Sequence, residues 1–125
     1  MENNSTLSKK SCRLSFQNLR KNGYRIQLAP WLIVYWEVND EKNTRILWNL
    51  SRKIGKAVLR NKLKRWCREY FRTNLRDITC NQGLDLNLVF RLTQKDFYKD
   101  LRREEIDKEL SRVEKKIRER LIRSF

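Results

Sequence analysis

Residues 44–73 read TRILWNLSRKIGKAVLRNKLKRWCREYFRT, and a change of period inside this stretch decides the fold. From Thr44 to Leu50 the side chains Ile46, Trp48 and Leu50 alternate, which is the two-residue repeat of a strand. From Lys56 to Thr73 the apolar positions are Leu59, Leu63, Trp66, Cys67, Tyr70 and Phe71, in steps of three and four, the repeat of one helix face. Gly55 separates the two regimes. A residue without Cβ allows a sharp strand-to-helix turn or a close approach of backbone to a phosphate. The spacing is not that of a Walker loop, which needs G-x-x-x-x-G-K-[ST].

Outward from this stretch, the C-terminal side offers a polar loop over 74–83. A strand follows over Asp85 to Leu92 (DLNLVFRL), half buried through Leu86, Leu88, Phe90 and Leu92. Strand, helix and strand make a β-α-β unit, for which a right-handed crossover is the default. Leu101, Ile106, Leu110, Val113, Ile117 and Leu121 then trace a second amphipathic helix whose outer face interleaves Glu with Lys and Arg. On the N-terminal side, Trp31 to Val38 (WLIVYWEV) predicts a largely buried strand, joined through the polar residues 39–43 in a hairpin with the strand over 44–50. A short strand is expected over Arg25 to Leu28. A short helix is expected over 12–22, with Leu14 or Phe16 and Leu19 inward and Gly23 ending it as a C-cap. Residues 1–11 are polar and read as a disordered basic terminus, leaving 12–125 as one domain. The expected architecture is α+β: a small two-layer sandwich in the order α-β-β-β-α-β-α. A sheet of about four strands has helices packed on one face and its other face partly open.

Composition narrows the function classes. The chain has 125 residues, 30 Lys and Arg against 15 Asp and Glu, and a net charge of +15. That balance points to a polyanionic partner, nucleic acid before an acidic membrane surface. The longest apolar run, Trp31 to Trp36, is far short of the roughly 18 residues a membrane-spanning helix needs. Histidine is absent, which removes Ser-His and Cys-His nucleophile systems. Cys12, Cys67 and Cys80 form no C-x-x-C pair and signal neither a zinc site nor a disulfide framework. They read as reduced thiols of a cytoplasmic protein, and no apolar signal-peptide core appears in the first thirty residues.

The charge is concentrated. Residues 52–72 hold nine cations against one acid, Glu69. Within the helix Lys56, Arg60, Lys64, Arg68 and Arg72 recur every fourth residue, with Asn61 and Arg65 beside them. Each step of four drifts by only about 40° around a helix, so the cations form one gently winding ridge. A merely solvated face mixes signs, because like charges four apart destabilise a helix. This ridge repeats that penalty without relief, as a polyanion-binding face would.

At Ser51 to Arg72 the residues match a known pattern, roughly S-x-K-x-G-x-A-V-x-R-N-x-x-K-R-x-x-R, at Ser51, Lys53, Gly55, Ala57, Val58, Arg60, Asn61, Lys64, Arg65 and Arg68. The stretch closely resembles the signature of the bacterial ribonuclease P protein subunit, and the resemblance extends over most of the chain. Phe16, Gly23 and Arg45 also stand where that family has a phenylalanine, a glycine and an arginine. The resemblance implies a left-handed β-α-β crossover in place of the default. It also implies the family's function, endonucleolytic removal of the 5′ leader of precursor tRNA. There the catalyst is the RNA subunit, which also holds most of the Mg²⁺; the protein is an accessory subunit, with no catalytic residue, metal ligand or organic cofactor of its own. By the same resemblance Arg52, Lys53, Lys56, Arg60, Asn61, Lys64, Arg65 and Arg68 would contact the RNA subunit. Phe16, with Trp36 as a substitute aromatic, would line the path of the precursor leader. Neither DNA nor membrane is expected as a partner. The chain departs from the family at Arg20, where a second aromatic is common, at Val34, where an aromatic of the cleft strand is common, and at Leu47, where a glycine is common.

Three rival readings remain at the level of the residues. A ribosomal or other structured-RNA-binding protein would share the basic helix without the ten-residue match. A protein-only nuclease would need clustered carboxylates for Mg²⁺; Asp77, Asp85 and Asp96 are available but fall in no paired motif. A DNA-binding helix-turn-helix protein would need two short helices around a tight turn, a pattern this chain lacks.

Overall fold

In the computed structural model, which describes residues 19–21, 23–39, 44–79 and 83–124, four strands form one sheet. Strand β1 is Tyr24–Ala29, β2 Leu32–Val38, β3 Arg45–Asn49 and β4 Leu84–Phe90. Helix α1 spans Ala57–Thr79, a short α2 spans Phe97–Asp100, and α3 spans Arg103–Ser124. The architecture is the α+β arrangement that the period changes predict.

The strand order β1-β2-β4-β3 corrects the expected pairing. The hairpin joins β1 to β2 across Pro30 and Trp31, with Ala29 opposite Leu32. No β2–β3 hairpin forms: β4 lies between them, antiparallel to β2 and parallel to β3. An alternating pattern specifies which side chains share a face but not which strand lies alongside. The burial of β4 supplies the reason. It is covered on both faces rather than half buried, since Asp85 and Asn87 are as inaccessible as Leu84, Leu86 and Leu88. A strand of that kind belongs at the centre of a sheet. Leu92, expected on its buried face, lies beyond the strand and is exposed.

The even-numbered side chains of β2 (Leu32, Val34, Trp36) and β4 (Leu84, Leu86, Leu88, Phe90) share one core with Leu63, Cys67 and Phe71 of α1 and Ile106, Leu110, Val113 and Ile117 of α3. Both long helices therefore cover one face of the sheet. Trp48 of β3 meets Phe71 with ring centroids 6.4 Å apart, which places α1 toward the β3 edge. Helix α3 reaches β1 at the opposite edge. The other face carries Ile33, Tyr35, Asn87 and an Arg45–Asp85 pair. Residues 19–21 are helical, and Leu19 is fully buried yet stands apart from the main core. The expected helix over 12–22 otherwise lies outside the described residues, as do residues 1–11.

Two local features explain where the elements end. Helix α1 continues to Thr79 instead of giving way to a loop at 74. Thr73 donates its hydroxyl to the Glu69 carbonyl (3.3 Å) and Asn74 its amide to the Tyr70 carbonyl (2.9 Å), so both polar side chains bond back onto the helix. Gly23 donates its N–H to the Leu19 carbonyl (2.8 Å), as a helix C-cap would, but its φ is not positive. The glycine is needed for space: a Cβ there would lie 2.6 Å from Leu19 Cδ1, 2.7 Å from the Leu19 carbonyl oxygen and 3.0 Å from that of Trp36.

Candidate nucleic-acid interface

The ridge is built on an anchored element. Between β3 and α1 the chain makes one 3-10 turn, Arg52–Ile54, in which Ser51 Oγ accepts the Lys53 N–H at 3.2 Å and Ile54 is buried. Burying Ile54, Leu63, Cys67 and Phe71 contributes roughly 1.5–3 kcal/mol for each large side chain, ample to hold a helix whose outer face repels itself. Gly55 lies against Leu59, whose Cδ2 would be 2.5 Å from a Cβ at that position. Its carbonyl accepts the Arg60 Nε–H at 3.1 Å. The turn and the first helical turn are thereby tied together at the centre of the matched motif.

Arg52, Lys53, Lys56, Asn61, Arg65 and Arg68 are exposed, and Arg60 and Lys64 half-buried. Among the described residues no carboxylate pairs with any of these cations. Two acids of the helix layer are engaged elsewhere. Glu69 pairs with Arg103 (2.8 Å). Glu114 accepts the Tyr70 hydroxyl (2.5 Å) and pairs with Arg118 (2.5 Å). The cationic ridge is thus fixed in shape and left without internal counterions, so an external polyanion can neutralise it.

The expected leader-path residues fare differently. Phe16 lies outside the described residues. Trp36 is a correction: it is 2% exposed, on the helix-covered face, and its ring stacks on Tyr24 at 4.8 Å. Val34 shares that face and is buried too. Period two puts Trp36 and Val34 together correctly, but a strand buried on both sides does not reveal which face is which. The aromatic of β2 on the opposite face is Tyr35, half-buried and paired in register with Asn87. Asn87 is fully buried, and neither polar atom of its amide has a hydrogen-bond partner among the described residues. On the same face Asp85 accepts Arg45 Nε (2.8 Å) and Nη2 (2.7 Å) and the Asn39 amide (2.9 Å). A cleft of about 360 Å³ opens between Arg20 and the ends of β3 and β4, bounded by Asn49, Val89 and Ser51. It therefore lies between the helical residues 19–21 and the sheet and abuts the start of the basic motif.

Of the candidate nuclease carboxylates, Asp85 is buried and doubly bonded to Arg45, Asp96 sits at a left-handed turn (φ 61°), and the side chain of Asp77 is outside the described set. Among the described residues no group of three or more His, Cys, Asp or Glu side chains is arranged to hold a metal ion. Among them, too, no helix is long and apolar enough to cross a membrane.

A parallel β-α-β unit carrying a cationic helix, with a mixed polar and apolar cleft at the ends of β3 and β4 of a small mixed sheet, defines an RNA-binding protein of the α+β class. The model of the family Ribonuclease P matches residues 1–118. The chain belongs to that family and is of the bacterial type, the protein component of an endoribonuclease that processes the 5′ end of tRNA. It is 32% identical over 98 residues to the ribonuclease P protein component of Fusobacterium nucleatum, covering 78% of this chain and 86% of that one. The ribonuclease P protein of Thermotoga maritima superposes with a TM-score of 0.71 at 30% identity, over 83% of this chain and 92% of its own. That of Staphylococcus aureus gives 0.67 at 30% identity, over 82% and 87%.

Proposed function

We propose that the α1 ridge is the surface that docks on the catalytic RNA subunit of ribonuclease P, and that the opposite face of the sheet receives the 5′ leader of precursor tRNA. The carrying observation is the ridge itself: cations on a well-anchored helix, with no carboxylate partner among the described residues. Arg52, Lys53, Lys56, Arg60, Lys64, Arg65 and Arg68 follow phosphates, and Asn61 adds a donor and an acceptor beside them. Phosphate tracking of this kind supplies affinity and register without base specificity. In the leader path Tyr35 takes the place of Trp36 as the aromatic of β2, paired in register with the buried Asn87. Aromatic faces accept unpaired bases with little demand on sequence. Arg20 adds a cation where the family commonly has an aromatic, so leader binding here leans more on charge and less on stacking. Mg²⁺ and the hydrolytic step belong to the RNA subunit in this reading, and the holoenzyme works in the cytoplasm.

The test is cleavage of a 5′-extended precursor tRNA by a bacterial ribonuclease P RNA at low Mg²⁺, with and without this protein. Stimulated cutting at the mature 5′ end is expected. A well-folded protein that leaves the rate of a closely related RNA unchanged would overturn the reading in favour of a general structured-RNA binder.

A further inference from the structure

A second cationic surface lies at the sheet edge remote from the ridge. Helix α3 is split by charge. Residues 103–111 hold two cations and four acids, whereas residues 112–123 hold six cations and two acids, Glu114 and Glu119. Glu114 is buried and engaged by Tyr70 and Arg118, so the exposed part of the C-terminal half is almost wholly basic. A helix dipole favours some bias of this kind, but it does not explain what stands opposite. Between this half of α3 and the edge strand β1 is a groove of about 260 Å³, with Arg25 and Tyr24 on one wall and Lys116, Glu119, Arg120 and Arg123 on the other. Tyr24 is 41% exposed. Its ring rests on the buried Trp36 (4.8 Å), and the Arg120 guanidinium carbon lies 4.4 Å from its centroid.

We propose that this groove binds an unpaired RNA strand, as a second site separate from α1. With Trp36 packed against the Tyr24 ring and the Arg120 guanidinium lying over it, the outermost surface is a guanidinium held on an aromatic ring, a platform on which a base stacks. Arg25, Lys116 and Arg123 flank it at the positions of a passing backbone. The platform favours RNA over an acidic peptide, which would pair with the cations but has no planar base to lay on the ring-backed guanidinium. Because β1 and β3 are opposite edges of the sheet, a strand here and a helix on the ridge contact the protein at the same time. The proposal rests on the ribonuclease P reading only for the class of ligand, not for the identity of the RNA.

The experiment uses the full chain and a short oligouridylate carrying 4-thiouridine, cross-linked at fixed salt and mapped by mass spectrometry. A cross-link is expected at the peptide containing Tyr24, and it should persist in the ridge variant Arg60→Ala/Lys64→Ala. Tyr24→Ala should lower that cross-link about ten-fold, as loss of one stacked base implies, while Tyr24→Phe retains it. The double variant Lys116→Ala/Arg123→Ala, changed only at exposed positions, should weaken it without altering the fold. Cross-links confined to α1, or displacement by polyglutamate as effective as by oligouridylate, would overturn the proposal. Precursor cleavage by the same variants separates the two readings. A protein that fails to stimulate any ribonuclease P RNA but keeps the Tyr24 cross-link refutes the holoenzyme assignment alone. Stimulation without that cross-link refutes the groove alone.

Discussion

Arg60 does two things at once. Its Nε holds the Gly55 carbonyl at 3.1 Å, which locks the turn to the helix, and its remaining guanidinium nitrogens can face RNA. Lys64, one turn on, has no bonding partner among the described residues and offers charge alone. Either Arg60→Ala or Lys64→Ala should weaken binding of the RNA subunit and lower the magnitude of its salt slope by up to about 1 for each phosphate lost. Thermal unfolding of Lys64→Ala should match the parent, whereas Arg60→Ala should lose a little stability with its bond to Gly55. Unchanged slopes in both would remove the ridge from the interface. Arg45 is a structural counterpart. It stands where the family has an arginine, but it is spent on Asp85, whose carboxylate is 3% exposed. Arg45→Met leaves that charge buried and should cost about 3 kcal/mol in urea unfolding. Gly23→Ala forces a Cβ to within 2.7 Å of a backbone oxygen and should also destabilise, by roughly 1–3 kcal/mol, through displacement of backbone rather than torsional strain.

At the scale of elements, α1 and α3 were legible because each has a continuous 3.6-residue stripe. Leu63, Cys67 and Phe71, and Ile106, Leu110, Val113 and Ile117, are all buried as their spacing predicts. What the sequence could not show was partnership. The alternation of β3 looks the same whether its neighbour is β2 or β4, and the polarity of Asp85 and Asn87 hides that β4 is covered on both faces. The candidate site divides along the same line. The ridge was readable because charge spacing on one helix is local, whereas Trp36 was misplaced because the identity of a strand face depends on what packs there. The α1 core also carries a pH dependence. Burial, with Asp107 nearby, pushes the Cys67 thiol from 9.0 up to about 12, and burial likewise raises the Tyr70 and Tyr98 hydroxyls from 10.0. A group whose folded pKa is raised stabilises the fold below its unfolded pKa and loses that contribution as pH climbs toward the folded one. Urea midpoints should therefore be flat from pH 7 to about 9 and fall above it. Cys67→Ala should remove the part of the fall that begins near pH 9 and leave the part that begins near pH 10. A midpoint that rises through this range would contradict the burial of all three groups.

For the whole molecule the question is whether +15 acts as a diffuse field or through a defined surface. The structure arranges it as a surface: cations on α1 without a carboxylate partner among the described residues, Glu69 and Glu114 engaged by Arg103, Arg118 and Tyr70, and a basic half of α3 at the other edge. These alternatives differ in salt dependence. Seven ridge cations, each displacing counterions from one phosphate, give a slope of log affinity on log salt of about −5 to −6 for the RNA subunit. The entire excess of charge acting together would be steeper than about −10. A slope in the lower range that moves toward zero with each ridge substitution assigns the affinity to α1. Exposed substitutions elsewhere, such as Lys99→Ala, should leave it unchanged, because a charge that touches no phosphate releases no counterion. A steep slope that responds equally to every lysine removed would mean that net charge, and not the architecture of the helix, holds the RNA.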